Sequence, residues 1–125
     1  MKKLTIEDIL EQKKISKKVE MTFKSEVLNR EIDFEKIDAS KVMEILQDSQ
    51  SGMLDYHSAN MYLIYLSVPM FRNEKIRADM ENKNDSPYKV VEEIFNSNIM
   101  EITSFADKIL SIYGFTAEKV KSLKK

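Results

Sequence analysis

The chain has no cysteine and no tryptophan, one histidine, two glycines and two prolines. Without cysteine it cannot form disulfides, hold a thiolate-ligated zinc or use thiol chemistry, and the composition fits a cytosolic address. Two glycines, Gly52 and Gly114, are too few for a phosphate-cradling glycine-rich loop. No apolar run reaches the roughly 20 residues a membrane-spanning helix needs. The start, MKKLTIEDILEQKK, opens on two lysines like a signal peptide, but Glu7, Asp8 and Glu11 stand where its apolar region belongs. Neither sign of charge dominates: 20 basic residues against 21 acidic leave a net charge of −1. That balance lacks the basic excess of a general nucleic-acid binder.

What is present is an ordinary apolar fraction, 42%, in 125 residues, enough for one core and one domain over residues 1–125. Charged residues are abundant at 33%. The apolar residues are arranged with two periods, which predicts an α+β fold: an N-terminal β-hairpin packed against a mainly helical bundle of four to six helices.

Thr5 is placed to cap a helix over residues 6–13, with Asp8 completing a capping box and Leu4 and Ile9 a hydrophobic staple. The apolar face of that helix, Ile6, Ile9 and Leu10, is narrow and needs something to lie on. From residue 19 to 27 the period falls to two, with Val19, Met21, Phe23 and Val27 alternating with polar residues. A second alternation sets Ile32 and Phe34 against Glu31, Asp33 and Glu35. Asn29, between them, tolerates the left-handed turn of a hairpin. Lys18 and Lys24 would then face acidic residues across the strands.

Asp38 caps a helix over residues 39–48 whose buried stripe is Val42, Ile45 and Leu46, with residues 49–52 breaking it. A helix over residues 53–66 follows, ended by Pro69, because Val68 before a proline is pushed out of helical angles. A short helix over residues 74–80, a polar loop over residues 81–85 and a Ser86–Pro87 helix start come next. Val90, Val91, Ile94 and Phe95 form one face, and Asn96, Ser97 and Asn98 interrupt. The last helix, residues 99–113, buries Ile102, Phe105, Ala106, Ile109 and Tyr113 and stops at Gly114, ahead of a lysine-rich tail.

Chemistry-bearing constellations are sparse. His57 would need a nucleophile and an orienting group, and only Ser58 and Asp55 are close in sequence. Asp55 and Ser58, three apart, can meet on a helix while His57 points elsewhere. Asp79, Glu81 and Asp85 lack the glycine and spacing of a calcium loop, and no histidine pair suggests a transition metal. No cofactor and no metal are expected. The lysine pairs, such as Lys2–Lys3 and Lys13–Lys14, are interleaved with acids and carry no aromatic stacking platform.

The densest apolar stretch is residues 53–71, MLDYHSANMYLIYLSVPMF, which carries three tyrosines and the histidine. A helix apolar on most sides is usually central core. Its alternative role is a partner groove, since methionines adapt to irregular surfaces. Tyr62, Tyr65, Met70 and Phe71 are the residues expected at the rim of such a groove.

The order of these signals resembles the tail assembly chaperones of contractile-tailed phages and phage-like prophages of Gram-positive bacteria. The carrying segments are LTIEDILEQKK, the alternating hairpin, the helix from Ala39 to Leu46, SVPMF, VVEEIF and SFADKILSIYG. The resemblance spans most of the chain through loose motifs and fixes no individual site residue. It implies a non-enzymatic protein of the host cytoplasm, absent from the finished particle. Such a protein self-associates and coats the aggregation-prone, helical tape measure protein while tail tube subunits polymerise around it. A helix with exposed apolar stripes needs that cover. Two other classes stay open on the residues alone. A small phage or bacterial regulatory or inhibitor protein would bind one folded partner in a one-to-one complex, which stoichiometry by light scattering separates. A hydrolase or transferase would need a pocket uniting His57 with Ser58 or Asp55.

Overall fold

A computed structural model describes residues 2–16, 21–80 and 86–115. Among these residues the fold is α+β: one two-stranded antiparallel hairpin and six α-helices. The helices are α1 (Ile6–Ser16), α2 (Ala39–Ser51), α3 (Tyr56–Ser67), α4 (Glu74–Ala78), α5 (Val90–Ile94) and α6 (Ile99–Ser111); β1 is Thr22–Ser25 and β2 is Arg30–Asp33. The loop expected over residues 81–85, the tail after residue 115, and the proposed cross-strand role of Lys18 lie outside the described residues.

The hairpin follows from alternation. Phe23 pairs with Ile32 on the buried face and Lys24 with Glu31 on the outer face. Asn29 supplies the left-handed residue of the turn at φ 52°. The Ser25 hydroxyl accepts from the Leu28 N–H at 3.1 Å, so a polar side chain fills the buried position where the apolar pattern lapses. The hairpin is fastened to the body by an aromatic group. Phe23 stacks on Phe105 at 4.3 Å between ring centroids, and Phe34 meets the same ring edge-on at 5.7 Å. The Glu35 N–H donates to the Ser67 carbonyl at 2.8 Å, tying the strand exit to the end of α3.

α3 is the hub, packing on α6 and α2 and on the shorter turns around Pro69 and Pro87. Ala59, Met61, Leu63 and Ile64 are sealed in the core, so the apolar stretch is chiefly interior. The helix begins at Tyr56, not at Met53. Asp55 accepts the Ser58 N–H at 2.7 Å and the Ser58 hydroxyl at 3.0 Å, which fixes the N-cap there and leaves Met53 outside, exposed. α3 ends where Val68 takes extended angles before Pro69. Arg72 then reaches back, its guanidinium donating at 2.7 Å to the carbonyls of both Tyr65 and Leu66.

Other boundaries moved for local reasons. α2 continues through the serines to Ser51, and Gly52, at φ 85°, ends it with its N–H on the Ser49 carbonyl. Pro87 opens a 3₁₀ turn, Pro87–Lys89, rather than α5 itself. Asn96 and Ser97 both take left-handed angles, and Asn98 caps α6 by accepting from the Glu101 N–H. α6 closes at Ser111, two residues before Tyr113, and β1 ends at Ser25, two residues before Val27, while Val19 at the start of the alternation lies outside the described residues.

Candidate functional site

The residues expected to line one groove are dispersed. Tyr62 and Tyr65 are half-buried and Met70 is 60% exposed, whereas Phe71 is only 5% exposed and lies edge-on to Phe95 at 6.0 Å. Phe71 is therefore core and not rim. Tyr62 is occupied by neighbours, its ring 5.6 Å from that of Tyr88 and 5.3 Å from the Lys41 ammonium. Tyr65 and Phe71 do share a crevice, with Arg72 and Met80, but its volume of about 10 Å³ holds no more than one water.

The polar trio around the histidine also separates. Asp55 and Ser58 are engaged with each other as a helix cap, while His57 Nε2 lies 3.1 Å from Glu92 Oε1 on α5. Nucleophile, base and orienter do not converge. The Ser58 N–H bond, then its hydroxyl and the nearby His57 and Lys89, hold the Asp55 carboxyl below its ordinary range against partial desolvation. A lowered folded pKa means stability present above the unfolded value and lost as pH falls through the folded one. Asp55→Ala is expected to cost about 1 kcal/mol at neutral pH, the usual worth of such a cap. The deficit, read by urea unfolding, should shrink below about pH 4 as the wild-type carboxylate protonates.

The apolar surface that is uncovered lies elsewhere. α1 starts with the reciprocal cap its sequence calls for: the Thr5 N–H donates to Asp8 Oδ2 at 3.0 Å, and the Asp8 N–H donates to Thr5 Oγ1 at 3.2 Å. Every side chain from Lys2 to Lys13 is exposed, and among the described residues no other element packs substantially on this helix. Leu4, Ile6, Ile9 and Leu10 are 74%, 73%, 45% and 55% exposed. Ile6, Ile9 and Leu10 share one side of the helix, so the stripe read from the sequence exists, and among the described residues it stays largely open to solvent. The Leu4–Ile9 staple buries neither residue.

Two grooves carry further exposed methionines. One, of about 430 Å³, lies between the hairpin and the start of α6, with Phe23 at its floor and the 82% exposed Met100 at its lip. Glu101 pins the hairpin turn across it by accepting the Val27 N–H at 3.0 Å. The other, of about 360 Å³, runs between α2 and the end of α6, lined by Val42, Met43, Ile112, Tyr113 and Phe115. Met43 and Met100 were not singled out from sequence. Met100 occupies the second position of a helix on its outer side, a place the 3.6-residue period alone would have shown.

Among the described residues no helix is long and apolar enough to cross a membrane, and no three His, Asp or Glu side chains gather as a metal site would require. Compared with protein-family models, with curated proteins and with solved structures, the chain matches none.

Proposed function

We propose that this chain is a non-enzymatic assembly chaperone whose client is a long helical protein with exposed apolar stripes, of the tape measure kind found in phage and phage-like tails. The observation that carries the reading is the bare stripe of α1, with Leu4, Ile6, Ile9 and Leu10 facing solvent on a helix that holds its own cap. An amphipathic helix on which no other described element packs substantially is suited to lie along another helix of the same character. Soft, exposed Met43 and Met100 beside shallow grooves suit contacts that form with varied sequence and release again. The client surface moves accordingly from the tyrosine-bearing helix, which is core, to α1 and the methionine lips.

Co-expression of this chain with the tape measure protein should raise the soluble fraction of the client and yield a complex with several copies per client. The paired substitution Ile6→Asp and Leu10→Asp should cut recovery of that complex by about tenfold or more, since truncating or charging buried anchor residues costs upward of 1–2 kcal/mol. Unchanged client solubility with no complex would overturn the proposal. A compact one-to-one complex would instead favour a regulator of one folded partner.

A further inference from the structure

We infer that the groove between α2 and the end of α6 takes a partner segment of one charge class: an amphipathic helix whose apolar stripe is bordered by aspartates or glutamates. The walls of the groove are apolar, with Ala39, Val42 and Met43 of α2 facing Ile112, Tyr113 and Phe115. The second wall is held in place, because the Tyr113 hydroxyl bonds both backbone groups of Ile37. At about 360 Å³ the groove is more than twice the roughly 150 Å³ that accommodates a benzene ring, so it receives more than one side chain, as a helix laid in a groove presents them. Met43, half-exposed at the lip, adapts to what enters. The charge at this groove has one sign. Lys36 is the only charged residue among those lining it, and its ammonium lies 5.7 Å from the centre of the Tyr113 ring. Glu35, Asp38 and Glu44 are near in sequence but outside the lining; Asp38 is engaged in capping α2, and Glu44 pairs with Lys41 at 3.5 Å. Phe115 leads into residues 116–125, whose sequence carries Lys119, Lys121, Lys124 and Lys125 against Glu118 alone. The other methionine-lipped groove differs, with Glu26 and Glu101 set against Lys24. A stripe edged with carboxylates meets a cation at the rim of the α2–α6 groove, and a stripe edged with lysines meets its own charge. A lipid surface is a poorer occupant, because this apolar surface is concave and admits side chains, whereas a protein enters the interface of a bilayer by a protruding apolar face.

The groove is one of the surfaces assigned to the client above, so the inference rests on that reading for the partner's identity and not for its chemistry. The experiment is fluorescence anisotropy of the full chain with two labelled synthetic helical peptides that share one leucine stripe, one bordered by glutamates and the other by lysines. The chain's net charge of −1 gives no general advantage to the acidic peptide, so a preference for it reports the groove. The glutamate peptide should bind about tenfold or more tightly than the lysine peptide, and the gap should close as salt approaches about 1 M, because exposed charges are screened. Met43→Asp should weaken the glutamate peptide by about tenfold or more while the circular dichroism of the protein is retained. Lys36→Glu should narrow the preference by about three- to fivefold, and Lys75→Glu, the same change on α4 outside the groove, should leave it intact. Equal affinity for the two peptides overturns the inference, as does binding indifferent to Met43→Asp. Binding to vesicles of anionic phospholipid with neither peptide bound assigns the face to a membrane and overturns it too. If the client complex is recovered but the peptides are not discriminated, only this inference falls; if the glutamate peptide is preferred and no client complex forms, only the chaperone reading does.

Discussion

Phe105→Ala is expected to destabilise the protein by about 3–5 kcal/mol, a large share of the 5–15 kcal/mol that holds a typical domain folded. Phe105 is fully buried and is the ring that three others meet: Phe23 stacked at 4.3 Å, Phe34 edge-on at 5.7 Å and Phe95 edge-on at 6.1 Å. Two of those rings belong to the hairpin region and one to the end of α5, so one side chain joins the hairpin to the helical body. Its removal leaves a cavity that the neighbours cannot collapse into without breaking the Phe23–Ile32 register. The thermal midpoint should fall by on the order of 10–20 °C. Amide exchange should quicken first in β1 and β2, because a two-stranded hairpin is marginal once its packing is lost. Phe71→Ala should do less, with one ring contact, to Phe95, where Phe105 has three. Equal losses for the two variants, or a midpoint nearly unmoved by Phe105→Ala, would contradict the role of this ring as the joint.

How much was legible in the sequence depended on whether the deciding interaction was local. Caps and stops were readable because each acts within a few residues: Thr5 with Asp8, Asp38 ahead of α2, Val68 before Pro69, Asn29 in the turn, Gly114 at φ 91°. The period of two and the period of 3.6 placed Phe23, Ile32, Val42, Ile45, Ile102, Phe105 and Ile109 in the core, where they are. The start of α3 was misread although its signal was local: Asp55 three residues before Ser58 is a cap, and the run of apolar residues before it drew the boundary back to Met53. Phe71 was misread for a different reason. It follows a proline turn, where helical periodicity no longer says which way a side chain points, and its partner Phe95 is remote in sequence. The approach of His57 to Glu92 is equally non-local. The candidate site was half legible. Its stripe obeys the helical period, but whether any other element lies over that stripe is a tertiary fact that one helix cannot encode.

Tyr113 offers the second large effect, and one with a pH signature. Its hydroxyl accepts the Ile37 N–H at 2.7 Å and donates to the Ile37 carbonyl at 3.2 Å, clasping the entry to α2 onto the end of α6. The Lys36 ammonium lies 5.7 Å from the centre of the same ring. Tyr113→Phe keeps the ring and removes both bonds, leaving two backbone groups of Ile37 unpaired at a part-buried site, for an expected cost of about 1–3 kcal/mol. Burial raises the phenol's pKa above its ordinary value, and the Ile37 N–H, which favours the phenolate, offsets only part of that. A raised pKa in the folded state means that the neutral phenol is the form the fold prefers. The stability it contributes is complete below the unfolded pKa near 10 and is lost as pH rises through the folded value. Ionisation also strips the proton donated to the Ile37 carbonyl. The gap in unfolding free energy between wild type and Tyr113→Phe should therefore be constant from neutral pH to about pH 9 and narrow above about pH 10. Every other group is common to both proteins and cancels in the difference. A gap that widens with alkalinity would mean that the hydroxyl acts as an acceptor alone, with the phenolate held by the Ile37 N–H, and that the donated bond contributes nothing to the clasp.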